Sequence, residues 1–138
     1  MEGDLMIIIA THAVFMNGKD IYGPPHAVSL FLNKQKDAHI FIKHNLYANG
    51  PSKVEYYRNG KLEKEDSIKE SPIKFPFFLY LYEMYTTLKI VLAEQEKVTL
   101  FIGVDPLNAL AGEILKNWVK QKKMFTLALI LPYRAFQT

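Results

Sequence analysis

The sequence predicts an α/β domain with a mostly parallel sheet and helices on both of its faces. Three observations lead there. Residues 5–10, 98–104 and 125–131 are apolar runs rich in β-branched or large side chains, too short for helices and unbroken by any charged residue, as in strands covered on both sides. The stretches between them carry apolar residues at three- and four-residue spacing. Strands alternating with helices imply parallel pairing through crossovers, which places helices on both faces.

Taken in order, residues 5–10 (LMIIIA) form the first strand, and Asn17, Gly18, Lys19 and Asp20 make a turn-rich loop. Tyr22-Gly23-Pro24-Pro25 then leads into a helix from His26 to Leu32, with Gly23 supplying freedom at the turn and Pro25 suited to a first helical turn. Residues 38–42 form a second strand, in which His39 takes an alternate position expected to be exposed. Residues 49–71 are polar, with Val54, Tyr56 and Tyr57 in a short strand, a tight turn at Asn59-Gly60 and a partner strand from Leu62. Mixed lysines and glutamates mark this segment as a solvated excursion.

From Pro76, the spacing of Phe77, Leu81, Tyr85, Leu88 and Leu92 predicts a long helix whose broad apolar face belongs to the core. Val98 to Val104 is the next strand. Asp105-Pro106 marks a clear helix start, an N-cap aspartate followed by proline at the first helical position. Leu107, Leu110, Ala111, Ile114, Leu115, Trp118 and Val119 trace one face of that helix. Residues 125–131 form a late strand ended by Pro132-Tyr133-Arg134.

Composition narrows the function classes. A chain of 138 residues, 49% apolar and 22% charged, is read as one globular domain spanning residues 1–138. The absence of cysteine excludes a disulfide framework, a thiolate metal site and a cysteine nucleophile, and points to a reducing cytoplasm. The opening MEGDLMIIIATHAVF sets acidic residues before a short apolar run, the reverse of a secretory leader. A net charge of +3, with lysines interspersed among acids except at Lys116, Lys120, Lys122 and Lys123, argues against nucleic acid as a partner. The longest apolar stretch, residues 75–93, is interrupted by Glu83, Thr86, Thr87 and Lys89, and reads as a helix of the folded body rather than a membrane span.

The glycine-rich phosphate loops, the serine elbow, the H-E-x-x-H helix and any close metal-ligand spacing are absent from the sequence. Ligands of parallel sheets gather at the carboxyl ends of the strands. Those ends are Thr11-His12, Lys43-His44, Gly103-Val104-Asp105 and Pro132-Tyr133-Arg134. His12, just beyond the first strand, suits a general base or a group hydrogen-bonding a substrate. His26, at a helix amino end where the dipole disfavours a cation, suits a neutral imidazole facing a sugar hydroxyl.

Two segments carry a resemblance: Gly23-Pro24-Pro25-His26-Ala27-Val28 opening a helix, and Phe101-Ile102-Gly103-Val104-Asp105-Pro106-Leu107-Asn108-Ala109-Leu110-Ala111 joining a strand to a helix rich in alanine and leucine. In that order, the chain resembles the N-terminal, acceptor-side domain of GT-B fold glycosyltransferases of the retaining group 1 type. The similarity runs from about residue 5 to residue 134, with Gly23-Pro24-Pro25 standing where the family usually has a Gly-Gly pair.

The resemblance implies a Rossmann-like three-layer α/β/α fold and a transferase of the hexosyl class that retains anomeric configuration without a metal or cofactor. From their places at the strand ends and at the start of the first helix, His12 and His26 are the expected catalytic residues, and Thr11, Gly23, Pro24, His44, Gly103, Asp105 and Arg134 the expected acceptor-binding ones. The acceptor would be a sugar or a lipid-linked sugar. The nucleotide sugar would be held by a second, donor-binding domain or subunit, for which this chain has no sequence. The expected partners are therefore a second copy or a partner chain, with a cytoplasmic location and peripheral contact with a membrane through the aromatic residues 77–85. A non-catalytic Rossmann-like binding or assembly module is the alternative.

Overall fold

The computed structural model describes residues 6–47, 50–94, 98–118 and 125–128, the last of these and 116–118 by backbone alone. Its elements are β1 (Met6–Ala13), β2 (Phe15–Met16), β3 (Lys19–Asp20), α1 (Pro24–Lys34), β4 (His39–Asn45), β5 (Ser52–Arg58), β6 (Lys61–Ile68), α2 (Pro76–Ala93), β7 (Val98–Gly103), α3 (Pro106–Trp118) and β8 (Phe125–Ala128). The protein is α/β with a six-stranded sheet in the order β6-β5-β4-β1-β7-β8.

The sheet is mixed. β4, β1, β7 and β8 are parallel, with Ile8 opposite both Ile40 and Phe101, whereas β5 and β6 run antiparallel. The polar segment expected to be an excursion therefore extends the main sheet. Asn59 and Gly60, at φ 55° and 77°, close a two-residue turn that can join only antiparallel neighbours. Val54 is buried against the core, and this inward residue ties β5 to β4. β6, at the sheet edge, is covered in lysine and glutamate, which protects its unpaired backbone from other strands.

Alternation along the strands divides the core. Met6, Ile8, Ala10, Ile40, Ile42, Val98 and Phe101 face one way and pack with Val91 of α2 and Leu115 of α3. Ile9, Phe41 and Ile102 face the other way and pack with Leu32 of α1. Helices thus cover both faces, one on the α1 side and two on the other.

The largest departure from expectation is α2. Most of its predicted core stripe is turned outward: Phe77 is 61% exposed, Tyr85 60%, and Leu81 and Leu92 nearly half, and only Leu88 of that stripe packs against the core. Its buried positions are Glu83, Thr86, Thr87 and Val91. The reason lies in what α2 covers. Its middle, at Glu83 and Thr87, lies over the polar carboxyl ends of β1 and β4, which need hydrogen-bonding partners, and only from Leu88 on does it reach the apolar core.

Gly103 ends β7 where α3 turns back across it. A Cβ there would lie 2.5 Å from the backbone nitrogen of Ala109 and 2.6 Å from its Cα. The absent side chain is what lets the first turn of α3 rest on the strand, so Gly103 serves packing between elements. Gly103→Ala should cost about 2–4 kcal/mol in a urea titration, because backbone rather than a flexible side chain must give way. A variant as stable as the parent would show that α3 shifts freely.

Candidate functional site at the carboxyl edge

After β1 the chain leaves by α1 on one face of the sheet, and after β7 it leaves by α3 on the other. β1 and β7 are adjacent, so their loops leave to opposite faces of the sheet, and this switch point is where sheets of this kind usually carry their ligand crevice. His12, from β1, and Asp105, from the end of β7, meet there.

The register sets His12 beside His44 on the face covered by α2 and α3. Asp105 follows β7 directly and caps α3, its Oδ1 accepting the Asn108 backbone N–H at 3.0 Å. Its Oδ2 accepts from His12 Nδ1 at 2.8 Å, from the His12 backbone N–H at 3.2 Å and from Asn108 Nδ2 at 2.7 Å. From above, α2 brings Glu83, whose Oε2 lies 2.6 Å from His12 Nε2. Both ring nitrogens therefore face carboxylates, and both donate.

Burial alone would lower the His12 pKa, but its hydrogen bonds to Asp105 and Glu83 and their charges outweigh burial and raise it to about 9. Burial likewise pushes Asp105 up, and the hydrogen bond and charge of His12, with those of Asn108, override this and hold it at about 2. The result at neutral pH is an imidazolium between two carboxylates, an excess of one negative charge at the crevice. The Asp105 side chain is 25% exposed and that of His12 15%, so both can be reached from solvent. In this state His12 is a proton and hydrogen-bond donor, and the base role expected of it is not available at neutral pH.

His44 sits behind, with its ring centroid 5.7 Å from that of His12 and its Nε2 2.7 Å from Thr87 Oγ1. Burial first, and the neighbouring His12 charge second, bring its pKa down to about 3. A neutral, buried His44 anchors α2 to β4 and does not face the crevice. A small cavity of about 20 Å³, room for one water, adjoins it and is lined by Asn45, Ser52, Ser71 and Glu83. A larger hollow of about 380 Å³ lies at the opposite, amino end of β1 and β4, beside His39 and Tyr57, away from this chemistry.

The other predicted residues lie elsewhere. Thr11 is buried on the α1 side, its Oγ1 donating to the His12 carbonyl oxygen at 3.1 Å. Gly23 is the N-cap of α1 and Pro24 its first residue. The φ of Gly23, −152°, is extended backbone open to any residue, so the freedom expected of a glycine there is not used. Its N–H donates to His26 Nδ1 at 2.9 Å, and His26 Nε2 donates to Asp20.

His26 thus belongs to a second polar cluster, on the opposite face of the sheet from His12. There the Lys43 ammonium, on a side chain 4% exposed, lies 2.9 Å from Asp20 and 2.6 Å from Glu55. Asp20 reaches it because Asn17 and Gly18, at φ 52° and 77°, make the expected loop a tight hairpin joining β2 and β3. Tyr57 donates to Glu55 at 3.0 Å, and burial, then the Glu55 charge, push its hydroxyl pKa up. Every member has a partner, as a locking network requires.

His39, expected to be exposed, is fully buried. Its Nδ1 donates to the Asp37 carbonyl oxygen at 3.0 Å, its Nε2 accepts from Ser29 Oγ at 2.8 Å, and its ring stacks on Tyr57 at 4.6 Å. Burial lowers its pKa. Arg134 lies outside the described residues.

Of the nine predicted site residues, then, the structure joins His12 and Asp105 directly, with His44 behind them. Sequence reasoning missed Glu83, Asn108 and Thr87. The signal was present: Glu83, Thr86 and Thr87 sit at i, i+3 and i+4 in an otherwise apolar helix, the spacing of one helical face. Among the described residues no group of three or more histidine, cysteine or acidic side chains is arranged to hold a metal ion.

The site defines an α/β protein with a charged cluster at the crevice between two parallel strands. No family model, no curated protein and no solved structure matches the chain.

Proposed function

We propose that this is a Rossmann-like, three-layer domain that binds the acceptor in sugar transfer, with the hydroxyl groups of a saccharide received at the crevice between β1 and β7. The observation that carries the reading is the Asp105–His12–Glu83 cluster at that crevice. The partly exposed Asp105 carboxylate offers oxygens that accept from a sugar hydroxyl, and the His12 imidazolium, with both N–H groups engaged by Asp105 and Glu83, holds that carboxylate charged and in place. The excess negative charge disfavours phosphate there, in keeping with a nucleotide sugar held by another domain or chain. His12 orients Asp105 as a cation beside it, and Asp105 takes the hydrogen bond of the acceptor hydroxyl.

A non-catalytic binding module is the second reading, favoured by the full pairing of both His12 nitrogens. Ligand-observed NMR and calorimetry against saccharide acceptors and against uridine, guanosine and adenosine diphosphate sugars separate the two. The expected result is acceptor binding that shifts the His12 ring resonances and weakens at least about tenfold in His12→Gln, as for loss of a charged hydrogen bond. The diphosphate sugars alone should not bind. A folded sample that binds no saccharide leaves the module reading.

A further inference from the structure

We propose that the outward face of α2, with the segment leading into it, seats on the anionic surface of a lipid bilayer. The proposal is independent of the sugar-transfer reading, because it rests on the opposite side of α2 from Glu83.

Phe75, Phe77, Phe78, Tyr80, Leu81 and Tyr85 are all between 47% and 65% exposed. The rings cluster with one another: the centroids of Phe77 and Phe78 are 5.6 Å apart, and those of Phe75 and Phe78 6.2 Å. Aromatic side chains bring roughly 150–250 Å² each, so the patch measures on the order of 700 Å², above the about 300–600 Å² of the largest patch on a typical monomer. It is also not amphipathic leakage from a core-facing helix, since the side of α2 turned inward is the polar one.

Charge selects the occupant. Over residues 69–93 the exposed charges are Lys69, Lys74 and Lys89 against the single exposed carboxylate Glu70, which pairs with Lys74 at 2.8 Å, so the rim keeps an excess of positive charge; the only other acid is the buried Glu83. A second copy docked on this face would bring lysine rims together with too few acids to receive them. Anionic headgroups complement the rim, and tyrosine, apolar in its ring and polar at its tip, suits the headgroup level. α2 lies on such a surface rather than across it, since among the described residues no helix is long and apolar enough to span a membrane.

Flotation of the full chain with vesicles of phosphatidylcholine, alone or mixed with phosphatidylglycerol, tests this. The chain should rise with the mixed vesicles and less with the neutral ones. Phe77→Ser/Leu81→Ser should lower the bound fraction at least about tenfold while circular dichroism and melting stay unchanged, because both side chains already face solvent. Lys74→Glu/Lys89→Glu should remove the preference for the anionic vesicles. A wild-type chain that stays at the bottom with both vesicles overturns the proposal. So does a Phe77→Ser/Leu81→Ser variant that floats as well as wild type, or a doubled mass by light scattering that this pair of changes abolishes without any flotation.

Discussion

Asp105→Ala should destabilise the protein by about 3 kcal/mol. About 1 kcal/mol is the lost cap of α3. The remainder comes from leaving the His12 imidazolium with one carboxylate and from stranding the His12 and Asn108 donors that Asp105 accepts. Asp105→Asn keeps an oxygen for the cap and removes the charge, so it should cost less, about 1–2 kcal/mol. Urea titrations rank the three proteins, and the ring proton resonances of His12 follow its pKa, which should fall from about 9 in both variants. Equal urea midpoints for all three would mean that the cluster contributes nothing to holding α3 on β1.

The pH profile of stability should peak near pH 6.5 and decline on both sides, for opposite reasons in two neighbouring histidines. The folded protein keeps a proton on His12 up to about pH 9, whereas the unfolded chain releases it near 6.5. The contribution of His12 is therefore complete below pH 6.5 and is withdrawn as pH rises through 9, a loss of about 3 kcal/mol. His44 behaves in reverse: the folded protein refuses a proton until about pH 3, while the unfolded chain takes one near 6.5. Stability tied to His44 is complete above 6.5 and drains as pH falls, at up to about 1.4 kcal/mol per pH unit. The lowered pKa of His39 steepens the same limb. Asp105 adds to it below 3.8, where its contribution is lost as pH falls through about 2. Urea midpoints measured between about pH 4 and pH 9 trace both limbs. His12→Gln should flatten the alkaline limb and also alter the acid one, because the His12 charge acts on His44 and Asp105, and a wild-type profile level from 6.5 to 9 would show that His12 is not held as a cation.

Both results turn on contacts that local sequence shows only in part. The Asp105-Pro106 junction was legible because a cap and a first-turn proline act within one turn of chain. The pairing of Asp105 with His12 joins residues 93 positions apart and depends on β1 and β7 being neighbours. His26 was drawn toward the same site by its place at a helix amino end, yet α1 covers the other face, so a distance along the chain that looked short became the thickness of the sheet. His39 looked exposed because its strand alternates, and β4 is covered on both sides.

By itself the sequence determined the α/β class, the order of the main-sheet strands and the helices, the Asn59-Gly60 hairpin and the start of α3, all of which depend on patterns within a few residues. Only the tertiary structure decided that β5 and β6 join the sheet antiparallel, that Gly103 makes room for Ala109, and that α2 turns its aromatic stripe to solvent. Periodicity reveals that a helix has two faces. Which face is buried depends on what it lies against, and here that is the polar ends of β1 and β4, where Glu83 and Thr87 find His12 and His44.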